Sequence, residues 1–279
     1  MLSRKADAAT SRPIQNERAD AIWRAPAPPE PAGGVSAGTR SDAAGATQKD
    51  ETMATNEDVR LWTRTQVENA QAFAVGHGRQ HELYAEARKI VPGGRALEIG
   101  FGDGHLLRLL SQSYECHAAD ISEENVEQMR AAVPSVEFRV AGTDGKLPYP
   151  DGFFDLFVAS EVLEHMDDAQ LAVAVAEIGR VLKPGGHALV TVPAREDLSL
   201  NECYCPNCGH HFHKWGHKQS WTRARIEETF RSFRIRKLEE RYFTGDHLNL
   251  FGKIEALVRR AASRFREMSG LTFLVILEK

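Results

Sequence analysis

What this chain lacks narrows it first. It has no excess of positive charge: 35 Lys and Arg against 39 Asp and Glu leave a formal net charge of −4. Nucleic acid would therefore have to be met by a local patch, not by a basic field. No apolar run approaches the roughly 20 residues that cross a bilayer, and the N-terminal stretch carries no apolar signal core. Cysteine is scarce, four in 279 residues. Three of the four crowd together at Cys203, Cys205 and Cys208, which suits a metal knuckle better than a disulfide framework. The expected compartment is the cytoplasm. What remains is a length suited to one α/β domain with appendages.

Apolar patterning begins late. Residues 1–52 are rich in Ala, Pro, Gly, Ser and Thr, so they are expected to be a disordered tail, dispensable for catalysis. Asp7, Glu17, Asp20 and Glu30 argue against a transit peptide. The first patterned segment follows Met53, where the working part of the chain is expected to start. Residues 57–92 read as a helical cap of two helices broken near Gly76-His77-Gly78, with His77 and His81 as surface or packing residues.

The stretch Arg95–His105, R-A-L-E-I-G-F-G-D-G-H, organises the rest. Ala96, Leu97 and Ile99 form a short apolar strand carrying Glu98. Gly100, Gly102 and Gly104 then make a turn, and Leu106, Leu107, Leu109 and Leu110 open a helix. Glycines let a backbone approach a ligand closely. A dinucleotide fingerprint would read G-x-G-x-x-G. Here the spacing is G-x-G-x-G with an acid before it, which repels phosphate and suits a cation. Twenty positions past Gly100, Asp120 ends a second strand, where such folds place the acid that accepts ribose hydroxyls.

The pattern E-I-G-F-G-D-G resembles motif I of the class I S-adenosylmethionine (SAM)-dependent methyltransferases, whose loop wraps the amino-acid and sulfonium end of SAM. Further segments follow in that family's order: Asp120, then Phe154-Asp155 opening a buried strand, then Leu182-Lys183-Pro184-Gly185-Gly186 before another. The resemblance implies an α/β, Rossmann-like three-layer αβα sandwich. Its seven-stranded sheet would be mostly parallel, with Leu271–Leu277 as the antiparallel edge partner. It implies SAM held by Glu98, Gly100, Gly102, Gly104, Asp120 and Ile121, with Ser160 at the end of the fourth strand. Where many members have G-D-A-x-x-L-P-F with an aspartate on adenine, this chain has Thr143 at the aspartate's place and Asp144 one later.

Glu161, Glu164 and His165 end the fourth strand and are expected to face the methyl group, with a helix following them to Leu182. Three roles stay open: ligands of a divalent cation that acidifies a substrate hydroxyl, His165 as general base, or helix caps. S-E-V-L-E-H resembles both the ubiquinone-type O-methyltransferases and the small-RNA 3′-end 2′-O-methyltransferases. In the latter, E-x-x-E-H and a later histidine hold a metal. His217 in Gly216-His217-Lys218-Gln219-Ser220-Trp221-Thr222-Arg223 matches that histidine.

Residues 198–218 form a Cys/His-rich insertion whose C-P-x-C-G turn reads as a structural zinc knuckle. Its expected ligands are Cys205, Cys208 and His213, with Cys203 or His217 as the fourth. His217 cannot serve both metals. Residues 245–270 read as a basic amphipathic helical insertion, able to meet an anionic or lipid-linked substrate and offering peripheral membrane contact. The function expected is methylation of an oxygen on a small-molecule or glycan/lipid-linked acceptor. The alternatives are an RNA 3′-end 2′-O-methyltransferase and a non-catalytic SAM-binding regulatory protein.

Overall fold

The computed structural model describes residues 56–68, 76–142, 144–243 and 271–279. The tail 1–52, Thr143 and the insertion 245–270 lie outside the described residues. Two helices, α1 (Asn56–Glu68) and α2 (His77–Ile90), precede β1 (Gly94–Ile99). Then come α3 (His105–Leu110), β2 (Tyr114–Asp120), α4 (Glu123–Ala132), β3 (Val136–Val140) and β4 (Phe154–Ser160). The chain continues through α5 (Asp168–Val181), β5 (Leu182–Pro193), the short strands β6 (Glu202–Tyr204) and β7 (His211–His213), α6 (Arg223–Thr229), β8 (Arg234–Arg241) and β9 (Thr272–Glu278).

Seven strands form one sheet in the order β3-β2-β1-β4-β5-β9-β8. The pairs from β3 to β5 are parallel, and β9 runs antiparallel to both β5 and β8. The α/β, mostly parallel expectation holds. One detail is corrected: β9 is not the edge strand but lies inside it, because its residues Phe273–Leu277 are all buried and need a strand on each side. The charged β8, R-I-R-K-L-E-E-R, takes the edge, as charge on an edge discourages further pairing. β4 shows why the centre holds. Phe154 and Phe157 pack on one face and Leu156 and Val158 on the other, each worth about 1.5–3 kcal/mol of burial.

Strand order reverses between β1 and β4, so their carboxyl ends line the crevice where open α/β sheets take ligands. The opposite end is braced. Asp155 accepts the backbone N–H of Arg95 at 2.9 Å and the Lys183 ammonium at 2.7 and 2.8 Å. The F-D and L-K-P-G-G segments are thus two halves of one strut, at the end of the sheet away from the crevice. No described helix is long and apolar enough to cross a membrane.

Candidate active site

The glycine turn after β1 is fixed by backbone geometry. Gly100, Gly102 and Gly104 all have positive φ (61°, 52° and 70°), which side chains with a Cβ adopt at a cost. A Cβ on Gly100 would stand 2.6 Å from Val162 Cγ2, so the turn also lies tight against the segment after β4. Glu98 is buried, and its Oε2 has no hydrogen-bond partner. Burial, with Asp103 nearby, pushes its carboxyl well above the usual range. An orphaned buried carboxylate beside an open glycine cradle fits a ligand that brings positive charge and N–H donors.

Asp120 ends β2 and is equally buried. Its Oδ1 accepts the Ser122 N–H at 2.9 Å and its Oδ2 the Gln66 amide at 2.9 Å. Burial outweighs these bonds and raises the carboxyl to about 6. Ser122 also caps α4, accepting from the Asn125 N–H. Ile121 lies between them, half-buried. Ser160 accepts from Thr191 Oγ1 at 3.3 Å. Asp144 is exposed and turned into its own loop, with Oδ1 accepting the Lys146 N–H at 3.0 Å.

The helix follows the Glu161–His165 segment, as expected, and the segment itself is irregular. No helix starts at Glu161: its φ is 56°, a single 3₁₀ turn covers Leu163–His165, and α5 starts at Asp168 behind an Asp167–Gln170 capping box. Asp167 already satisfies the helix N-terminus, so Glu161 and Glu164 do not cap it. Glu161 instead faces Arg79 of α2 at 3.4 Å. A positive φ on a glutamate is strain of the kind that gathers at functional sites.

Glu164, His165 and His217 come together, with one ligand atom from each lying within 4.8 Å of the others. Glu164 is fully buried and both its carboxylate oxygens lack partners. Burial first, then Glu161, drives its carboxyl well upward. His165 donates from Nδ1 to the Gly216 carbonyl at 3.2 Å, which leaves Nε2 with its lone pair. Burial first, then His217, lowers its imidazole to about 3. Such a ring stays neutral and suits ligation better than proton uptake near pH 7. Two orphan oxygens beside two imidazoles are the donor set a divalent cation takes.

His217 reaches this set because its loop is stitched down. The Glu164 carbonyl accepts the N–H groups of Lys218 and Gln219 at 2.7 and 3.1 Å. Trp221 is fully buried, and Thr222 caps α6. The Trp and Thr of that motif are therefore scaffold. His217 shares the tightest contact of the region with Glu196, Nδ1 to Oε2 at 2.5 Å. Sequence reasoning missed Glu196 altogether. It sits in a loop with no motif around it.

The knuckle ligands do not converge. Cys205 and Cys208 close a tight turn, with Gly209 N–H on the Cys205 carbonyl at 2.8 Å, and backbone N–H groups of Cys208 and Asn207 lower the Cys205 thiol. His213 and His217 turn instead toward Glu196, and among the described residues neither three-residue metal-type group contains a cysteine. The expected set of Cys205, Cys208 and His213 with Cys203 or His217 is not gathered into one such group among the described residues. A hairpin, β6 against β7, carries the turn outward and exposes Tyr204, Phe212 and Trp215.

α1 covers the crevice. Lys218 reaches Asp58 at 2.9 Å, Trp62 lies edge-on to His165 with centroids 4.3 Å apart, and Gln66 holds Asp120. Residues 58, 62 and 66 form one helical stripe. The cap was expected; its direct hold on both halves of the site was not.

Residues 97–190 match the family described as "Methyltransferase domain". A Mycolicibacterium smegmatis protein named "Probable S-adenosylmethionine-dependent methyltransferase" is 37% identical over 124 residues, 43% of this chain and 47% of that protein. The glycine/sarcosine/dimethylglycine N-methyltransferase of Actinopolyspora halophila is 33% identical over 115 residues, 39% of this chain and 20% of its own length. The chain thus spans less than half the length of these two relatives. Among solved structures, an S-adenosylmethionine-dependent methyltransferase from Mesorhizobium loti shares the fold with a TM-score of 0.53 at 20% identity, covering 72% of this chain and 98% of that one. The Burkholderia thailandensis 1,6-didemethyltoxoflavin-N1-methyltransferase, bound to S-adenosylhomocysteine, does so with a TM-score of 0.56 at 12% identity, covering 82% and 92%. Residues 97–190 thus resemble a methyltransferase domain in sequence, and the sheet shares its fold with solved SAM-dependent methyltransferases.

Proposed function

We propose that the chain transfers the methyl group of SAM to a hydroxyl oxygen of a small-molecule or glycan/lipid-linked acceptor, with a divalent cation held by Glu164, His165 and His217. The acceptor oxygen bonds to the methyl carbon as the carbon–sulfur bond breaks, its electron pair passing to sulfur. The products are the methyl ether, S-adenosylhomocysteine and a proton. Glu98 faces the amino-acid end of SAM and Asp120 its ribose. The glycine turn brings the sulfonium to the mouth of β1, and α1 excludes water. A cation held by Glu164, His165 and His217 would supply charge that lowers the pKa of the acceptor hydroxyl. Alignment does the rest.

The observation that carries this reading is the pair of unpartnered Glu164 oxygens beside His165 and His217. A cation there would matter more to a hydroxyl, whose proton must leave, than to a neutral amine, which already carries a free lone pair. Tyr204, Phe212 and Trp215, exposed on the neighbouring hairpin, offer aromatic faces of the kind that sugar rings and lipid chains lie on.

A second reading, metal-dependent RNA 3′-end 2′-O-methylation, draws on the same placement of His217 beside Glu164 and His165. The test is methyl transfer from labelled SAM to small-molecule, lipid, glycan and RNA fractions, with and without EDTA. Label in a hydroxyl-bearing small molecule, lipid or glycan that EDTA abolishes supports the first reading, and label confined to RNA 3′ ends supports the second. Transfer unaffected by EDTA and by H217A sinks both.

A further inference from the structure

Three groups outside the methyl-donor pocket converge on one carboxylate. Glu196 Oε2 lies 2.5 Å from His217 Nδ1, and Oε1 lies 3.4 Å from His213 Nε2. Oε1 also accepts the Asn201 side-chain amide at 3.0 Å, and the Glu196 backbone carbonyl accepts the Ser220 hydroxyl at 2.6 Å. Glu196, His213 and His217 satisfy the spacing of a metal site of their own, but the hydrogen bonds point elsewhere. His213 Nδ1 accepts the backbone N–H of His217 at 3.0 Å, so the proton of the neutral ring sits on Nε2, facing Glu196. His217 then hydrogen-bonds the carboxylate through Nδ1–H, while His213 turns its Nε2–H toward it at 3.4 Å without completing a hydrogen bond. The 2.5 Å approach is also too short for two ligand atoms of one ion, which stand roughly 3 Å apart when each is about 2.1 Å from the metal.

We propose that Glu196 is a positioning residue: it takes the Nδ1 proton of His217 and so commits the Nε2 lone pair to the Glu164–His165 side. This rests on the cation reading above. His165 shows the same device, its Nδ1–H held by the Gly216 carbonyl. Metal-ligating histidines are commonly oriented in this way through the ring nitrogen that does not bind the ion, and losing the partner typically weakens metal binding 10–100-fold.

The experiment is Mn²⁺ titration of the full chain, read by equilibrium binding and by the imidazole-nitrogen coupling in pulsed electron paramagnetic resonance. Manganese is chosen because thiolates compete poorly for it. Wild type, E196A, E196Q and E164Q are compared, with the melting midpoint of each metal-free protein as a folding check. The expected result is one Mn²⁺ lost in E164Q, a 10–100-fold weaker site in E196A with altered nitrogen coupling, and substantial recovery in E196Q, whose amide oxygen still accepts the Nδ1 proton. If wild type binds no Mn²⁺ that depends on Glu164, the cation reading fails and this proposal with it. If that ion is present and E196A changes neither its affinity nor its spectrum, only the role of Glu196 is overturned. Loss of a second, separate Mn²⁺ in E196A would make Glu196 a ligand and overturn it too.

Discussion

Gln66 on α1 donates to Asp120 Oδ2 at 2.9 Å, so the acid that ends the second strand already holds a partner supplied by the cap. On the proposed reading, the carboxylate that would seat the ribose is also the one that α1 holds. With Oδ1 taken by the Ser122 N–H, a vicinal diol has to displace or share with Gln66.

Replacing Gln66 by alanine is therefore expected to strengthen SAM and S-adenosylhomocysteine binding. Above the Asp120 value of about 6 this is a hydrogen bond to a charged group, worth about 1.5–3 kcal/mol, which corresponds to roughly 10–150-fold. Calorimetric titration of Q66A reads this directly. Weaker binding would show that Gln66 belongs to the ligand site and is not its competitor.

Asp120 also sets a pH dependence. Its carboxyl is raised from 3.8 to about 6 by burial. Between those values the folded ligand-free protein holds a proton that the unfolded chain has lost. Stability from this group is present at the low end and falls as pH rises through the window, by about 3 kcal/mol. His165 works oppositely: lowered from 6.5 to about 3, it costs stability as pH falls through that range. The two are separated by comparing denaturation midpoints of wild type and D120N at pH 4 and pH 7. The variant should lose the falling component, and an unchanged profile would reject it.

Gly100 tests the turn in two parts. G100A adds left-handed strain of about 1–2 kcal/mol and a clash with Val162. Adding V162A should relieve the clash and not the strain, so the double variant should recover part of the lost stability in urea titrations. Full recovery would mean that the positive φ costs nothing here.

The brace at the far end should behave differently. D155A removes the acceptor of the Lys183 ammonium and leaves the Arg95 N–H unpaired. It is expected to lower stability by about 1–3 kcal/mol and leave SAM affinity unchanged once folded. A matching loss of SAM affinity would place the strut in the site.

How much of this was legible in the sequence divides along the chain. β1, its three glycines and Asp120 were readable because one continuous stretch builds them and backbone conformation demands their residue types. The F-D and L-K-P-G-G segments were equally visible, but their partnership through Asp155 and Lys183 needs two strands laid side by side. The site after β4 was half legible. Glu164, His165 and His217 meet as the resemblance implied, whereas Glu161 pairs with Arg79 from a helix far upstream. For the knuckle, C-x-x-C and two histidines look alike in sequence whether one ion or two separate structures claim them. Glu196 was invisible: a lone glutamate in a loop acquires meaning only from the ring beside it.

Glu164 gives the sharpest test of the cation reading that does not depend on finding an acceptor. Burial and the neighbouring Glu161 push its carboxyl well above the usual range, which favours the protonated form in the ion-free protein. A divalent cation must displace that proton. Titrating Mn²⁺ into the protein in two buffers of different ionisation enthalpy should reveal about one proton released per ion bound. In E164Q the release and the ion should vanish together. Because a neutral amide replaces a carboxyl that was already neutral, the metal-free melting midpoint should not fall. A marked drop in that midpoint would mean that Glu164 is charged and satisfied in the resting protein. Ion binding without proton release would mean that it is not the ligand.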